Sequence, residues 1–327
     1  MEMWTGDMLN TKFVLSIDAK ACIPALVSVV TLFVVGQGLS EGFASVANIS
    51  SVMAQMGLLL VISIGQTLVF CAGNGGIDFT VGSFVSMGAL IGAEYMNGQN
   101  ELIPLGILAA VLFGGGFGLL NGLGVQKLKI PALAMTLAMS SVVNGFTIWY
   151  TNGLPQGKVP TLLGSVGRSW IGEIRPMIVI AVAAIIIMEL VMRKTRFGRS
   201  VYIIGSNRQA AELSGVNVSA IAIAVYAMSG AISAVGGLLF LGYVGAGQIG
   251  MGSSYTLMSV AAVVIGGVSL YGGRGTFIGV ALGSMVYLLL TSVLVALGLP
   301  IGVRIFFQGV ILAVILLLNC RYDRLRK

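Results

Sequence analysis

A single aspartate, Asp78, stands between two long apolar runs in the stretch GNGGIDFTVGS (Gly73–Ser83), where the chain has almost no other charge. A carboxylate there has two chemical uses. It can accept backbone N–H bonds at the N-terminal end of a helix beginning near Thr80, or it can meet a solute or ion inside a membrane. Few other side chains offer chemistry. Cys22, Cys71 and Cys320 lie in or at the end of apolar runs without paired or metal-ligand spacing, and read as small buried hydrophobes. The chain has no histidine, which excludes an HExxH zinc site and any Ser–His or Cys–His nucleophile pair. No GxxxxGK[ST] phosphate loop is present either, so any ATP must be bound by another chain. No catalytic residue and no metal site is expected.

What must position Asp78 is a membrane bundle. The chain has 327 residues, of which 57% are hydrophobic and 9% charged, and its mean hydropathy is +1.00. A soluble domain could not cover that with polar surface. The 47 glycines sit inside apolar runs, where they suit close helix packing. At about 20 apolar residues per crossing, the sequence predicts an all-α polytopic protein of about ten transmembrane or partly re-entrant helices with two glycine-broken segments. The runs are 21–36, 49–72, 81–97, 102–125, 131–150, 176–192, 219–243, 255–270, 276–298 and 304–320. A second reading of the first run is a signal peptide cut near Ala44–Ala47; its basic flank is weak and the chain beyond it is itself membrane-embedded.

Charge orients this arrangement. Lys12, Lys20, Lys127, Lys129, Arg193, Lys194, Arg196, Arg199, Arg208, Arg274, Arg321, Arg324, Arg326 and Lys327 fall on one side, and only Lys158, Arg168, Arg175 and Arg304 on the other. The positive-inside rule makes the rich side cytoplasmic, with both termini inside. The net charge of +7 is then topology and does not call for nucleic acid as a partner. The expected organisation is a cytoplasmic tail at 1–20, one membrane domain at 21–320 and a cytoplasmic tail at 321–327. A periplasmic loop occupies 151–175, able to cap the membrane domain or touch an external partner, and a cytoplasmic coupling loop occupies 193–218.

Inside that second loop, Asn207–Gly215 has a polar start, the helix formers Gln209, Ala210, Ala211, Glu212 and Leu213, and Gly215 as a stop. It reads as a short amphipathic helix, a docking element at the cytoplasmic surface. Two apolar stretches also echo each other. One runs through Gly75, Gly76, Thr80 and Gly82; the other runs through Gly272, Gly273, Thr276 and Gly279. Paired interrupted helices expose backbone near a substrate path in many transporters.

Four blocks carry a resemblance: GGIDFTVGS (Gly75–Ser83), YTNG (Tyr150–Gly153), TRFGRSVYIIGSNRQAAELSGVNV (Thr195–Val218) and AAVVIGGVSLYGGRGT (Ala261–Thr276). In this order, over most of residues 50–320, the chain resembles the permease subunits of bacterial ABC importers for ribose, xylose, galactose and arabinose. The resemblance implies a second permease subunit, an ATPase with two nucleotide-binding domains that holds ATP and Mg, and a periplasmic sugar-binding protein, working at the inner membrane by alternating access. It implies that Asn207–Gly215 docks into the ATPase. Three positions depart from the family pattern: Phe79-Thr80 replaces Leu-Ser, Tyr255-Thr256-Leu257-Met258 replaces a Tyr-Glu-Leu-Asp type of stretch, and Asn144 stands where an arginine is common. A different polyol, a deoxy or furanose sugar, a sugar-like signal molecule, or one half of an unequal permease pair each fits.

A path for a neutral polyhydroxylated solute should be lined sparsely by amides, hydroxyls and aromatics. Candidates for pathway or gating are Gly75, Gly76, Asp78, Thr80, Ser83, Asn121, Asn144, Gly272, Gly273 and Arg274, with Gln66 and Trp149 as further linings and Arg274 as an ion partner for Asp78. The alternative class, an ion-coupled carrier working alone, needs titratable groups inside the spans. Besides Asp78, only Glu189 comes close.

Overall fold

The structure, a computed structural model, describes residues 19–73, 75–155, 157–168 and 174–325. Lys12, Arg326 and Lys327 of the charge pattern lie outside the described residues, as do Asn74 and Gln156. The described chain is helical and contains no strand. Its helices are α1 (Ala19–Leu39), α2 (Val46–Ala72), α3 (Val81–Met96), α4 (Ile103–Gln126), α5 (Ala132–Tyr150), the single turn α6 (Thr161–Gly164), α7 (Pro176–Lys194), α8 (Arg196–Ser206), α9 (Arg208–Leu213), α10 (Val218–Val244), α11 (Tyr255–Ile265), α12 (Phe277–Ala296) and α13 (Ile301–Leu325).

Among the described residues, six helices are long and apolar enough to cross a membrane: α2, α4 with the 3-10 turn before it, α5, α7, α10 and α12. The apolar stretches Ile23–Leu39, Val81–Met96, Tyr255–Ile265 and Ile301–Val314 are shorter. At 1.5 Å per residue, the 11 residues of α11 reach only about 16 Å. The apolar run expected at 255–270 stops at Ile265 because Gly267 turns the backbone to φ +78°.

Helix α2 is the axis of the bundle. It is apolar on every side, so it is buried almost from end to end, with α10, α12, α11, α7 and α8 packed around it. Close approach elsewhere relies on missing side chains. A Cβ on Gly114 of α4 would strike the Gly230 carbonyl of α10, and a Cβ on Gly230 would strike the Gly114 carbonyl. Gly118 and Gly122 continue that contact one and two turns on, against Tyr226 and Ile223. Backbones that touch gain dispersion and exclude lipid, which is how small residues hold helices together in a bilayer.

The two ends differ. At one end residues 157–168 fold inward as a cap: Gly98 N–H donates to the Lys158 carbonyl at 2.8 Å. Gly157 lies on the Ala93–Glu94 backbone, and Leu163 lies under Gly242. The opposite end carries α8 and α9. The sequence reading placed the residues before Asn207 in the coupling loop 193–218 without a helix of their own; the structure makes them a second helix. Thr195 starts α8 by accepting the Gly198 N–H at 3.1 Å, and Val201 and Ile204 turn inward.

Candidate functional site

Asp78 sits between α2 and α3 with no exposed surface. One carboxylate oxygen accepts the Thr80 N–H at 2.9 Å and also the Thr80 hydroxyl. The other accepts the Ser229 hydroxyl of α10 at 2.8 Å. Asn121 of α4 donates its amide to the Thr80 hydroxyl at 2.9 Å. In the amide orientation that satisfies both its ends, Gln66 of α2 donates to the Asp78 carbonyl at 3.0 Å and accepts the Asp78 N–H at 3.3 Å. Thr136 of α5 donates to the Ile77 carbonyl at 3.2 Å. Residues 77–80 are thus held by α2, α4, α5 and α10 together. A break in a helix exposes backbone groups that lipid cannot satisfy, and this polar set satisfies them.

Two expectations need correction. Asp78 does accept a backbone N–H, that of Thr80, but it reaches none within α3, and Thr80 makes no side-chain cap. The cap comes from across the bundle, where Thr256 of α11 accepts the Gly82 N–H at 3.1 Å. Nor is Arg274 an ion partner of Asp78. Arg274 is exposed while Asp78 is buried, and the ion pairs among the described residues are Arg193–Glu189 and Arg208–Glu212.

The remaining pathway candidates divide. Ser83 reaches α5 through the Ser140 hydroxyl at 2.7 Å. Gly75 is exposed at φ +65°, Gly76 is buried. Asn144 and Trp149 stand on α5 away from the Asp78 set; Asn144 is half-buried and Trp149 is 73% exposed. Glu189 is fully engaged: it pairs with Arg193 at 2.5 Å and accepts the Phe277 N–H at 2.9 Å, at the start of α12, where an acid suits the helix dipole.

The second break, residues 266–276, lies directly against the first. Gly273 N–H donates to the Cys71 carbonyl at 3.0 Å. Gly272 (φ +93°) rests on the backbone of Gly73, and Gly205 of α8 closes the group from the third side. Tyr202, one turn before Gly205, donates its hydroxyl to the Gly275 carbonyl at 2.8 Å. Burial, with Cys71 and Glu189 adding in the same direction, lifts the Tyr202 phenol above its ordinary range, so it remains a donor at neutral pH.

In the segment read as a docking element, Asn207 accepts the Ala210 N–H at 3.0 Å and so caps α9, and Gly215 (φ +79°) stops it. Gln209, Ala210, Glu212 and Leu213 are exposed, Leu213 by 90%. Ala211 is wholly buried against Ile204 and Val218 of its own chain, so of the two alanines only Ala210 faces outward. A shallow groove beside it is lined by Tyr202, Ile203, Ser206 and Asn207. Arg208 ties α9 to the end of α4 through Gln126 at 2.9 Å. Ser229, Thr136 and Gly205 escaped the sequence reading, and Thr256 and Tyr202 were noticed there without these bonds. Their local signal is only a small or polar residue in an apolar helix, which hydrogen bonds to the same helix explain equally well.

Residues 48–318 match the family model described as branched-chain amino acid transport system / permease component. The autoinducer 2 import system permease protein LsrC of Escherichia coli (strain K12 / DH10B) is 32% identical over 315 residues, covering 92% of this chain and 89% of that protein. LsrC of Yersinia enterocolitica is 32% identical over 304 residues, covering 92% and 84%. The ribose import permease protein RbsC of Escherichia coli (strain K12) is 30% identical over 305 residues, covering 91% and 92%. No solved structure matches the chain. An all-helical apolar bundle, matched over most of its length by that model and by these import permeases, belongs to the branched-chain amino acid transport system / permease component family.

Proposed function

We propose that this chain is the membrane subunit of a binding-protein-dependent ABC importer that moves a monosaccharide or similar polyhydroxylated small molecule into the cytoplasm by alternating access. The observation that carries the reading is the α8–α9 platform, which offers a nearly bare leucine at Leu213 and an apolar groove reaching Ala210. A leucine so exposed at one end of a bundle suits burial in a partner. The partner is an ATPase with two nucleotide-binding domains, holding ATP and Mg, which pulls on α9. A second permease subunit and a periplasmic binding protein complete the assembly.

The substrate class rests on the relatives, whose names specify ribose and autoinducer 2. The departures at Thr256 and Asn144 suit a sugar-like molecule as well as a sugar. Ten helices in or re-entering the bilayer, both termini inside, 151–175 periplasmic and 193–218 cytoplasmic form the matching topology in the inner membrane. An ion-coupled carrier is less well served, because Asp78 and Glu189 both spend their oxygens on donors of this chain.

Two measurements test this. On a cysteine-free background, a label at Gly164 should react with an impermeant reagent in intact cells, and one at Gln209 only after permeabilisation; the reverse pattern overturns the orientation. Leu213→Asp and Ala210→Trp should leave the permease folded and strip the ATPase from it on purification. Normal retention of the ATPase by both variants would show α9 to be a solvated connector.

A further inference from the structure

Three segments distant in sequence meet through glycine alone. Gly73 ends α2, Gly205 lies in the last turn of α8, and Gly272 and Gly273 form the second break. A Cβ at Gly73 would come within 2.9 Å of the Gly205 Cα and 2.9 Å of the Tyr271 carbonyl. One at Gly272 would come within 3.0 Å of the Gly205 Cα, and one at Gly205 would collide with the Cys71 carbonyl and the Gly273 nitrogen. No flexible side chain stands between the three backbones to absorb a displacement. Two hydrogen bonds fasten the same contact, Gly273 N–H to the Cys71 carbonyl and Tyr202 hydroxyl to the Gly275 carbonyl. On its other side α8 holds α9 through Ile204, which packs on the buried Ala211.

We infer that Gly205 and Tyr202 are positioning residues that fasten α8 to both breaks, so that residues 73–80 and 266–276 follow α9 as one body. This rests on the docking of α9 to an ATPase. A push on α9 reaches Ala211, then Ile204, then Gly205 and Tyr202, and from there Gly73 and Gly272–Gly273 together. Close-packed contacts transmit displacement without taking it up. Coupling through this joint makes the two breaks two readouts of a single movement, which a hinge in either break alone would not do.

The test uses the full chain in complex with its ATPase, with Cys22, Cys71 and Cys320 replaced by alanine. A reporter cysteine is placed at Gly75 in the first break or at Arg274 in the second, both exposed. The maleimide reaction rate is compared with and without a non-hydrolysable ATP analogue. In the parent, both reporters should change rate with nucleotide by about fivefold or more. With Gly205→Ala, which helical backbone accepts, both changes should vanish while the ATPase still co-purifies. Tyr202→Phe, which keeps the ring and removes only the hydroxyl, should shrink both together. Two outcomes overturn the joint: a response at only one break in the parent, or full responses at both breaks in Gly205→Ala and Tyr202→Phe. Failure of the parent to retain the ATPase is seen before nucleotide is added; it removes the docking reading and the joint with it.

Discussion

The two breaks solve one problem by different means. Each leaves backbone groups without a helix to satisfy them, inside a bundle where water is scarce. The first break recruits side chains: its own Asp78 carboxylate and Thr80 hydroxyl are joined by two hydroxyls and two amides from α2, α4, α5 and α10. The second break relies more on backbone: Ser269 N–H donates to the Arg274 carbonyl, Gly273 N–H to the Cys71 carbonyl, and glycines let the segments touch. Side-chain bonds there run from the Tyr202 hydroxyl to the Gly275 carbonyl and from the Tyr271 N–H to the Ser269 hydroxyl. Their threonines show the contrast. Thr276 caps α12 itself by accepting the Gly279 N–H at 3.0 Å, whereas Thr80 turns its hydroxyl to Asp78 and leaves α3 to be capped by Thr256. Similar sequence around a glycine pair therefore does not imply similar chemistry; the first break is tuned by polar residues and the second by absence of volume.

Substitutions that separate polarity from volume should divide the two regions. The largest effect is expected for Asp78→Leu, which leaves the Thr80 N–H, the Thr80 hydroxyl and the Ser229 hydroxyl without their acceptor at roughly 1–3 kcal/mol each. Folded yield and the thermal midpoint in detergent should fall sharply. Asp78→Asn keeps one acceptor oxygen and should retain most of both; loss of uptake with normal stability in that variant would give the charge itself a direct role.

Next in size is Gly272→Ala, which meets the Gly73 backbone and also holds an L-residue at positive φ. Overpacking of this kind costs about 1–3 kcal/mol, and the backbone strain adds about 1–2 kcal/mol. Gly75→Ala bears only the strain, since open space surrounds its missing Cβ. Equal losses for the two, read from thermal midpoints, would erase the distinction between the breaks. Ser229→Ala follows at about 1–3 kcal/mol, the range for leaving a buried acceptor without its donor. Arg274→Ala should change stability by less than about 0.5 kcal/mol, as expected of an exposed side chain without an ion partner among the described residues. A large loss there would restore a role for it in holding the first break.

Much of the helical framework was legible because hydropathy and end signals are local. The runs read at 131–150, 176–192 and 219–243 become Ala132–Tyr150, Pro176–Lys194 and Val218–Val244. The Asn207 cap and the Gly215 stop were legible for the same reason, since each acts within one turn. The burial of Ala211 was not. Two adjacent alanines look alike in sequence, and only the packing of Ile204 and Val218 distinguishes the inner from the outer. Helix α8 was missed because Arg196, Arg199 and Ser200 ahead of Val201 resemble a connector, while the inward turn of Val201 and Ile204 gives it a reason to fold.

By itself the sequence determined that this is an apolar helical chain fit for a membrane, with a short capped helix after Asn207 and two glycine-rich interruptions. Composition and short-range pattern suffice for that, because the bilayer imposes the same demand on every span. Only the tertiary structure decided what Asp78 touches and which backbones the glycines bring together. Ser229 is 151 residues from Asp78, and Gly73 meets Gly205 and Gly272 across similar distances in the chain. A serine in an apolar helix or a glycine in a break is compatible with many partners, and the close packing of the whole bundle selects one.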